Sequence, residues 1–284
     1  MAYAFLHERG LIGLSGEDAR EFLQGLVSND IRRLQEGGAV YAALLSPQGK
    51  FLHDFFIALR GGIFFLDVDK VHLPNLMQRL NLYKLRSKVT IAEEKNSAVA
   101  AIWDAEFSIK NSEFSFPDPR LRQLGYRIMG NAEVIEQRCQ AQHLQAGDYD
   151  RMRLELGVPD GARDMVADKS LLLEFGFEDL HGVDFNKGCY VGQEVTARSK
   201  HRAQLRKFIY QVKAHETLPP AGTPVFLGET EIGQMRSSSE NIGLALLKLA
   251  DVEMAEKSNK ELYAGAISLK ATLPQWVIHR PAAE

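Results

Sequence analysis

The hydrophobic pattern of the first hundred residues predicts two amphipathic helices. Ser15 is a candidate N-cap, because Asp18 three residues later completes a pattern that resembles a capping box. Apolar residues then recur at helical spacing over residues 19–27, which predicts a helix that ends near residue 30. Pro74 opens a second predicted helix, whose end is marked by basic residues from Lys84 onward.

Shorter apolar runs between and after these helices predict strands. They cover residues 40–45, 51–59, 63–68, 89–92 and 98–103. Gly61-Gly62 between the second and third runs is typical of a hairpin turn. The resulting order of helix, strands, helix and strands predicts an α+β fold class.

The second half of the chain has two regions with different hydrophobic patterns. We predict a connecting loop over 104–120, a strand at 125–129, helices over 132–144, 148–157 and 191–199, and irregular structure over 160–187. From residue 208 short alternating runs recur between turns, which predicts a small antiparallel β-barrel. The predicted domains are therefore residues 1–104, 105–204 and 205–284.

Composition and charge narrow the classes of function. The 284 residues carry a net charge of −3, which argues against a protein that binds nucleic acid mainly through phosphates. No run of eighteen apolar residues and no secretory signal are visible in the sequence, so we predict no membrane partner. Cys139 and Cys189 cannot form a disulfide framework or a four-thiolate metal site, which favours a reducing, cytoplasmic location and no resident metal.

The segment 187–194, K-G-C-Y-V-G-Q-E, has the composition of a site and not of a core element. Its glycines permit positive φ angles or a close approach of the backbone to another group. Cys189 precedes a predicted helix and stands near basic residues, which would make its thiolate available for chemistry. The alternative is a small residue made inert by burial.

The neighbours of this cysteine each have two interpretations. Lys187 could steer an anion or lower the pKa of the thiol, or it could be a solvated surface residue. Gln193 and Glu194 could hydrogen-bond a heterocycle, or could belong to the first turn of a helix. Arg198 could contact a ligand or pair with Glu194 one turn away. Tyr190 could line the site or simply pack.

The segment resembles the hallmark motif of the YgfZ/GcvT-like folate-binding family, relatives of the glycine-cleavage T-protein aminomethyltransferase. Weaker matches at residues 13–30, 41–54, 83–86, 118–120 and 153–157 fall in the family's order. The resemblance implies a multi-domain GcvT-like ring with ferredoxin-like α+β domains and a small C-terminal antiparallel barrel. Its members are implicated in the assembly or repair of iron–sulfur clusters.

The resemblance also implies ligand contacts. Glu174 corresponds to the glutamate that accepts hydrogen bonds from the pterin edge in the T-protein. Asp54 stands where the T-protein has a pair of aspartates, but the first of that pair is His53 here, which puts the aminomethyl transfer in doubt. Arg153 and Tyr83 could contact the folate, with a solvated helix face and a helix-capping position as the alternatives.

These expectations combine into a tetrahydrofolate-binding monomer, or one that binds a one-carbon-substituted folate, acting on iron–sulfur clusters. Cys189 and Lys187 would carry the chemistry, and client iron–sulfur enzymes or assembly factors would be the partners. Support of tRNA modification would be indirect, without nucleic-acid binding. An aminomethyltransferase and a non-catalytic scaffold with a vestigial pocket stay open as alternatives, as does catalysis itself.

Overall fold

A computed structural model describes residues 2–103, 114–139, 142–201 and 205–279. Its contacts divide the chain into two compact units, one of Met1–Tyr149 with Leu180–Gln193 and one of Asp150–Asp179 with Glu194–Glu284. The second unit is therefore interrupted by a short segment that returns to the first. The sequence-based domain boundaries near residues 104 and 204 stay a prediction, and residues 104–113 of the predicted loop lie outside the described residues.

The first unit is built from two β-sheets and their covering helices. Its strands are β1 (Ala2–Phe5), β2 (Arg9–Ser15), β3 (Ala39–Leu45), β4 (Phe51–Arg60), β5 (Ile63–Asp69), β6 (Thr90–Glu93), β7 (Ala98–Trp103), β8 (Phe114–Pro117), β9 (Tyr126–Gly130) and β10 (Gln142–His143). Its helices are α1 (Ala19–Gln24), α2 (Leu73–Lys84) and α3 (Ala132–Arg138), and α4 (Ala146–Glu155) runs from the first unit into the second.

The first sheet has the antiparallel order β3-β4-β5-β2-β6. Helices α1 and α2 contribute Leu23, Leu76 and Leu80 to the apolar core on one face of this sheet. Phe55 and Ile57 of β4 belong to the same core, because alternate residues of a strand point to the same face. Burial of both faces of β4 explains why residues 51–59 are apolar at nearly every position.

The second sheet has the order β10-β1-β7-β9-β8 and takes strands from both sides of residue 104. β1 pairs antiparallel with β7 and parallel with β10. Strand β8 lies within the predicted loop, which was therefore wrong over Phe114–Pro117. The error has a physical reason: Phe114 and Phe116 are buried, and a four-residue strand that ends in proline has too few residues to show an alternation.

A chain of buried ion pairs crosses between the two sheets of the first unit; we call Arg9, Asp67, Arg127, Asp118 and Arg120 the Arg–Asp chain. Asp67, with none of its surface exposed, accepts from Arg9 Nε at 2.6 Å and pairs through its other oxygen with Arg127. Arg127 and Arg120 then share Asp118, at 3.4 Å and 2.8 Å. Burial alone would raise the pKa of Asp118, but the charges and hydrogen bonds of these arginines outweigh burial and lower it.

The second unit consists of a closed barrel and the short helices before it. The elements are α5 (Gly161–Asp164), α6 (Gln193–His201), β11 (Lys207–Lys213), β12 (Pro224–Leu227), β13 (Thr230–Ser239), β14 (Ile242–Lys248), α7 (Leu249–Ser258), β15 (Leu262–Ala264) and β16 (Ile267–Thr272). The strand order is β11-β14-β13-β12-β15-β16, and pairing of β16 with β11 closes the ring of strands. The α+β class and the C-terminal barrel are confirmed.

Several local predictions need correction. Ser15 is not an N-cap: it ends β2 and pairs with Thr90, while Asp18 takes the cap position and accepts a hydrogen bond from the Lys88 backbone N–H at 2.7 Å. Helix α1 ends at Gln24, and the following residues form a connector to β3. The third predicted helix is also shorter than expected, because β10 begins at Gln142.

Candidate functional site

Residues 187–192 form a loop before α6, which we call the motif loop. Hydrogen bonds of the Lys187 side chain hold the start of this loop against the end of α1. Lys187 is only 1% exposed, so it is not a solvated surface lysine. Its ammonium donates to the backbone oxygens of Gln24 and Asn29, each at 2.8 Å, and to that of Val27. These oxygens lie at and just beyond the C-terminal end of α1, where carbonyl groups lack partners within the helix.

The protonated form of Lys187 suits this position. Burial lowers the pKa of Lys187 to about 8, partly offset by the charges of Asp30 and Asp184, so the side chain is an ammonium at neutral pH. An ammonium has three N–H groups, and the three carbonyl oxygens use all of them. None is left to donate to a ligand in this conformation, and a catalytic role for Lys187 stays a prediction.

Further contacts hold the loop to the same connector. The carbonyl of Lys187 accepts from Gln24 Nε2 at 3.1 Å and from Arg32 Nη2 at 2.7 Å. The Val191 N–H donates to the Gly25 carbonyl at 3.2 Å. Gly192 has a φ of +80°, and a Cβ there would lie 2.4 Å from the Ser46 carbonyl oxygen, so only glycine fits against the β3–β4 turn.

Cys189 is exposed between these fixed points, whereas Cys139 is buried. The preceding Gly188 has a φ of +89°, a left-handed conformation that glycine adopts readily, and a Cβ there would meet no atom within 4 Å. Cys189 is therefore not a buried residue, whereas burial raises the pKa of the Cys139 thiol. Of the two thiols of the chain, that of Cys189 is the reachable one, on a loop whose two sides are hydrogen-bonded to α1 and to its connector.

The residues that flank the thiol differ in their surroundings. The Tyr190 ring lies 5.0 Å from Lys187 Nζ, and its backbone N–H donates to Gln193 Oε1 at 3.1 Å. Gln193 is half-buried at the start of α6. Glu194 and Arg198 are exposed on α6, and in the described part of the chain they do not form the predicted ion pair with each other. Their contacts to a ligand stay predictions.

Asp54 lies on the face of the first sheet opposite to α1 and α2. It is 8% exposed, and Oδ2 accepts a hydrogen bond from the Tyr41 hydroxyl at 2.8 Å. The guanidinium of Arg120, which ends the Arg–Asp chain, lies 5.4 Å from the centre of the Tyr41 ring. Asp54 is thus a buried carboxylate oriented by a neighbouring hydroxyl, and its predicted contact with folate is untested.

His53 points to the other face, away from Asp54. Its Nε2 lies 2.9 Å from Asn75 Oδ1, which also accepts from Arg79 Nε, so the tautomer with a proton on Nε2 fits this contact. Within the described residues Nδ1 is buried and has no hydrogen-bond partner. His53 and Asp54 therefore lie on opposite faces of β4, and the imidazole packs toward α2.

The buried imidazole predicts a loss of stability in acid. Burial, aided by His72 and Arg79, lowers the pKa of His53 from 6.5 to about 4. Between these values the unfolded chain binds a proton that the native state does not, so the free energy of unfolding decreases as the pH is lowered, by up to about 3 kcal/mol. His53→Gln should remove this contribution, as measured by urea unfolding at pH 7 and pH 4.5. His7→Gln, at an exposed histidine, is the control, and equal losses in H53Q and wild type would contradict the assignment.

The second unit contains Glu174, in a single helical turn over Leu172–Phe175. Gly176 ends this turn in the left-handed region with a φ of +70°, and Trp276 packs so closely that a Cβ on Gly176 would lie 2.3 Å from the Trp276 ring.

Arg236 is a charged neighbour of Glu174 that the sequence analysis missed. Burial lowers its pKa, which the charges of Asp164 and Glu174 partly offset, and its buried Nε has no hydrogen-bond partner among the described residues.

Arg153 and Tyr83 occupy structural positions. Arg153 is 1% exposed and donates to Asp164 Oδ2 at 3.0 Å, to Ser237 Oγ at 2.9 Å and to Asp150 Oδ1 at 2.9 Å. The guanidinium therefore joins α4 and α5 to β13, and it does not line a solvated helix face. Tyr83 is half-buried on α2 and packs against the core of the first sheet. Folate contacts by either residue stay predictions.

The described residues offer neither a membrane span nor a metal site. No helix in the described ranges is long and apolar enough to span a membrane. Groups of three or more histidine, cysteine or acidic side chains arranged to hold a metal ion are absent from the part of the chain that the structure describes.

Comparison with known structures identifies the fold. The glycine cleavage system aminomethyltransferase T from Bartonella henselae matches with a TM-score of 0.77 and 14% identity, over 99% of this chain and 87% of that chain. At this identity the likeness shows the fold alone, and it confirms the predicted GcvT-like architecture. A family model described as the CAF17 C-terminal beta-barrel domain matches residues 206–278.

Sequence relatives correct the predicted location. A protein of Mycosarcoma maydis named iron-sulfur cluster assembly factor IBA57 homolog, mitochondrial, is 34% identical over 86% of this chain and 73% of its own length. The corresponding mouse protein is 29% identical over 95% and 84%. Both names state mitochondria, so the cytoplasmic prediction is wrong. It rested on cysteine usage, which indicates a reducing compartment without identifying it.

The relatives also show which of two related families, YgfZ or IBA57, this chain belongs to. The resemblance to the YgfZ/GcvT-like family identified the fold and a related family correctly, but the matched relatives are IBA57 proteins. The matched relatives extend over both units of the structure and not over the barrel alone. This chain belongs to the IBA57 family of iron–sulfur cluster assembly factors.

Proposed function

We propose that this protein assembles or repairs iron–sulfur clusters through the thiol of Cys189. The observation that carries the proposal is an exposed sulfur on a loop held by the buried ammonium of Lys187. In this proposal the cluster is cargo, and the Cys189 thiolate supplies one ligand to it. Iron–sulfur clusters need several thiolates, so the others come from a client enzyme or another assembly factor.

We further propose tetrahydrofolate as a ligand. A carboxylate and an arginine with an unpaired donor, Glu174 and Arg236, fit a molecule that presents both N–H donors and carbonyl or carboxylate acceptors. An alternative acceptor, in the first unit, is Asp54, which is oriented by Tyr41. A folate, when bound, would carry a one-carbon unit, whereas the residues of this chain would bind and orient it.

The residue at position 53 speaks against an aminomethyltransferase. The T-protein has two adjacent aspartates, but the first of them corresponds here to His53, whose ring contacts Asn75 of α2. In our proposal an imidazole therefore replaces one of the two carboxylates, and Asp54 is the remaining acceptor of the pair. An effect on tRNA modification would follow through iron–sulfur client enzymes, in keeping with a net charge of −3.

The thiol is tested with Cys189→Ala in cells that lack the endogenous protein. We expect the activities of iron–sulfur enzymes to fall to those of cells without the protein. Cys139→Ala is the matched control, because it removes the other thiol of the chain, and it should restore activity. Full activity of C189A, at a protein level equal to that of C139A, would eliminate the thiol from the function.

The folate ligand is tested by calorimetry with tetrahydrofolate. Glu174→Gln replaces the acceptor carboxylate and should weaken binding by about tenfold or more, since hydrogen bonds to a charged group contribute roughly 1.5–3 kcal/mol. Glu229→Gln, at an exposed glutamate of the same unit, is the control and should bind as wild type does. Wild-type protein that does not bind tetrahydrofolate would refute the ligand, and E174Q that retains cellular activity without binding would instead favour a scaffold.

A further inference from the structure

The barrel carries a groove that the proposed function does not use. It encloses about 560 Å³ between the end of α7 and strands β11, β15 and β16. Val252, Ala255, Leu262 and Leu269 line it and are buried, so its floor is apolar. All of its lining residues belong to the second unit. We call this feature the barrel groove.

Two lysines at the rim of the barrel groove stand directly opposite each other. Lys213 of β11 pairs with Lys270 of β16 in the antiparallel register that closes the barrel. Directly opposed residues have Cβ atoms about 4.5–5.5 Å apart, and like charges at this position are destabilising. Both lysines are exposed, and within the described residues neither forms an ion pair or a side-chain hydrogen bond.

Another lysine pair of the same barrel shows how such repulsion is normally offset. Lys207 of β11 stands opposite Lys248 of β14. Lys248 Nζ donates to the Glu231 carbonyl at 2.9 Å and lies 4.0 Å from Asp251 Oδ2. The pair at the barrel groove lacks this internal compensation in the part of the chain that the structure describes. Natural proteins break one or two local rules of stability at their functional sites.

The remaining charged groups of the barrel groove leave it with an excess of positive charge. Lys260 and His215 also line it, together with the carboxylates of Glu256 and Glu261. Glu261 accepts hydrogen bonds from the hydroxyls of Tyr263 at 2.7 Å and of Ser268, another lining residue, at 3.1 Å, and it keeps its negative charge. Three lysines thus face two carboxylates, which leaves an excess of one positive charge.

We propose that the barrel groove binds a small anion with an apolar body and a carboxylate or phosphate head group. Pockets for small molecules typically have about 300–1,000 Å³, and the barrel groove lies within this range. Its apolar floor and its charged rim suit a ligand that has an apolar part and a charged part. The apolar body would cover the floor, and the head group would lie between Lys213 and Lys270. The negative charge of the bound anion would offset the repulsion between the two opposed lysines.

The test uses anilinonaphthalene sulfonate, an anion with an apolar body whose fluorescence rises on binding. Lys213→Gln with Lys270→Gln should weaken the binding by about tenfold or more, because two charge-assisted contacts are lost. The melting temperature of this double variant should equal or exceed that of the wild type, because the repulsion is removed. Lys95→Gln with Lys169→Gln, at two exposed lysines outside the barrel groove, is the control for net charge.

Competition then identifies the head group. Displacement of the probe by phenyl phosphate or by phenylsuccinate would support the site and distinguish a phosphate from a carboxylate ligand. Equal probe binding by the double variant and the control would overturn the proposal. Displacement by an acidic peptide alone would also overturn it, in favour of a docking surface for a protein.

Discussion

Replacing Asp67 with asparagine is expected to lower the free energy of unfolding by about 3–5 kcal/mol. Asp67 is fully buried and holds two arginines of the Arg–Asp chain, Arg9 and Arg127. Asparagine keeps the shape but removes the negative charge, so the three buried guanidinium groups of the Arg–Asp chain would be left with one carboxylate, that of Asp118. Urea unfolding monitored by circular dichroism measures the change.

The control is Asp168→Asn, the same chemical change at an exposed aspartate. Asp168 has a φ of +60°, which asparagine also tolerates, so the control should change stability by less than about 0.5 kcal/mol. If D67N unfolded at the same urea concentration as D168N, the Arg–Asp chain would contribute nothing to the stability of the first unit.

Replacing Lys187 with methionine is expected to destabilise the first unit by about 2–4 kcal/mol. Methionine retains much of the apolar stem but has no donor, so the carbonyls of Gln24, Val27 and Asn29 would be left without the ammonium. Each buried acceptor without a partner costs about 1–3 kcal/mol, and partial access of water reduces the sum. Thermal unfolding and hydrogen exchange of residues 187–192 measure the effect.

Lys95→Met provides the comparison, because Lys95 is an exposed lysine of the same unit. Faster exchange in the motif loop should appear in K187M and not in K95M. Wild-type exchange rates in K187M would mean that the loop is held without the ammonium, and Lys187 would then be available for the catalytic role that the sequence suggested.

Much of the fold could be predicted because it depends on local patterns. Strands β3, β4 and β5 were found from apolar runs and from the glycine pair between the last two. Helix α7 was missed because its buried residues, Leu249, Val252 and Ala255, form a short stripe and Lys248 provides no side-chain cap. Ser15 was misassigned because a cap residue and a strand end have the same local composition.

The site was only partly predictable because its contacts join distant residues. The glycines next to Cys189 indicated an exposed turn, and that inference depends on a few adjacent positions. The role of Lys187 depends on carbonyls about 160 positions earlier, which no local pattern reveals. The importance of Arg236 likewise arises only from its proximity to Glu174 and Asp164 in the folded barrel unit.

The return of Leu180–Gln193 to the first unit has a consequence for biosynthesis. When the ribosome has produced only Met1–Tyr149, the carbonyls at the end of α1 still lack the donor that Lys187 provides. The first unit therefore reaches its full stability only after nearly forty more residues, up to Lys187, have emerged from the exit tunnel. A premature stop codon before position 187 would yield a fragment that quality-control proteases should degrade rapidly.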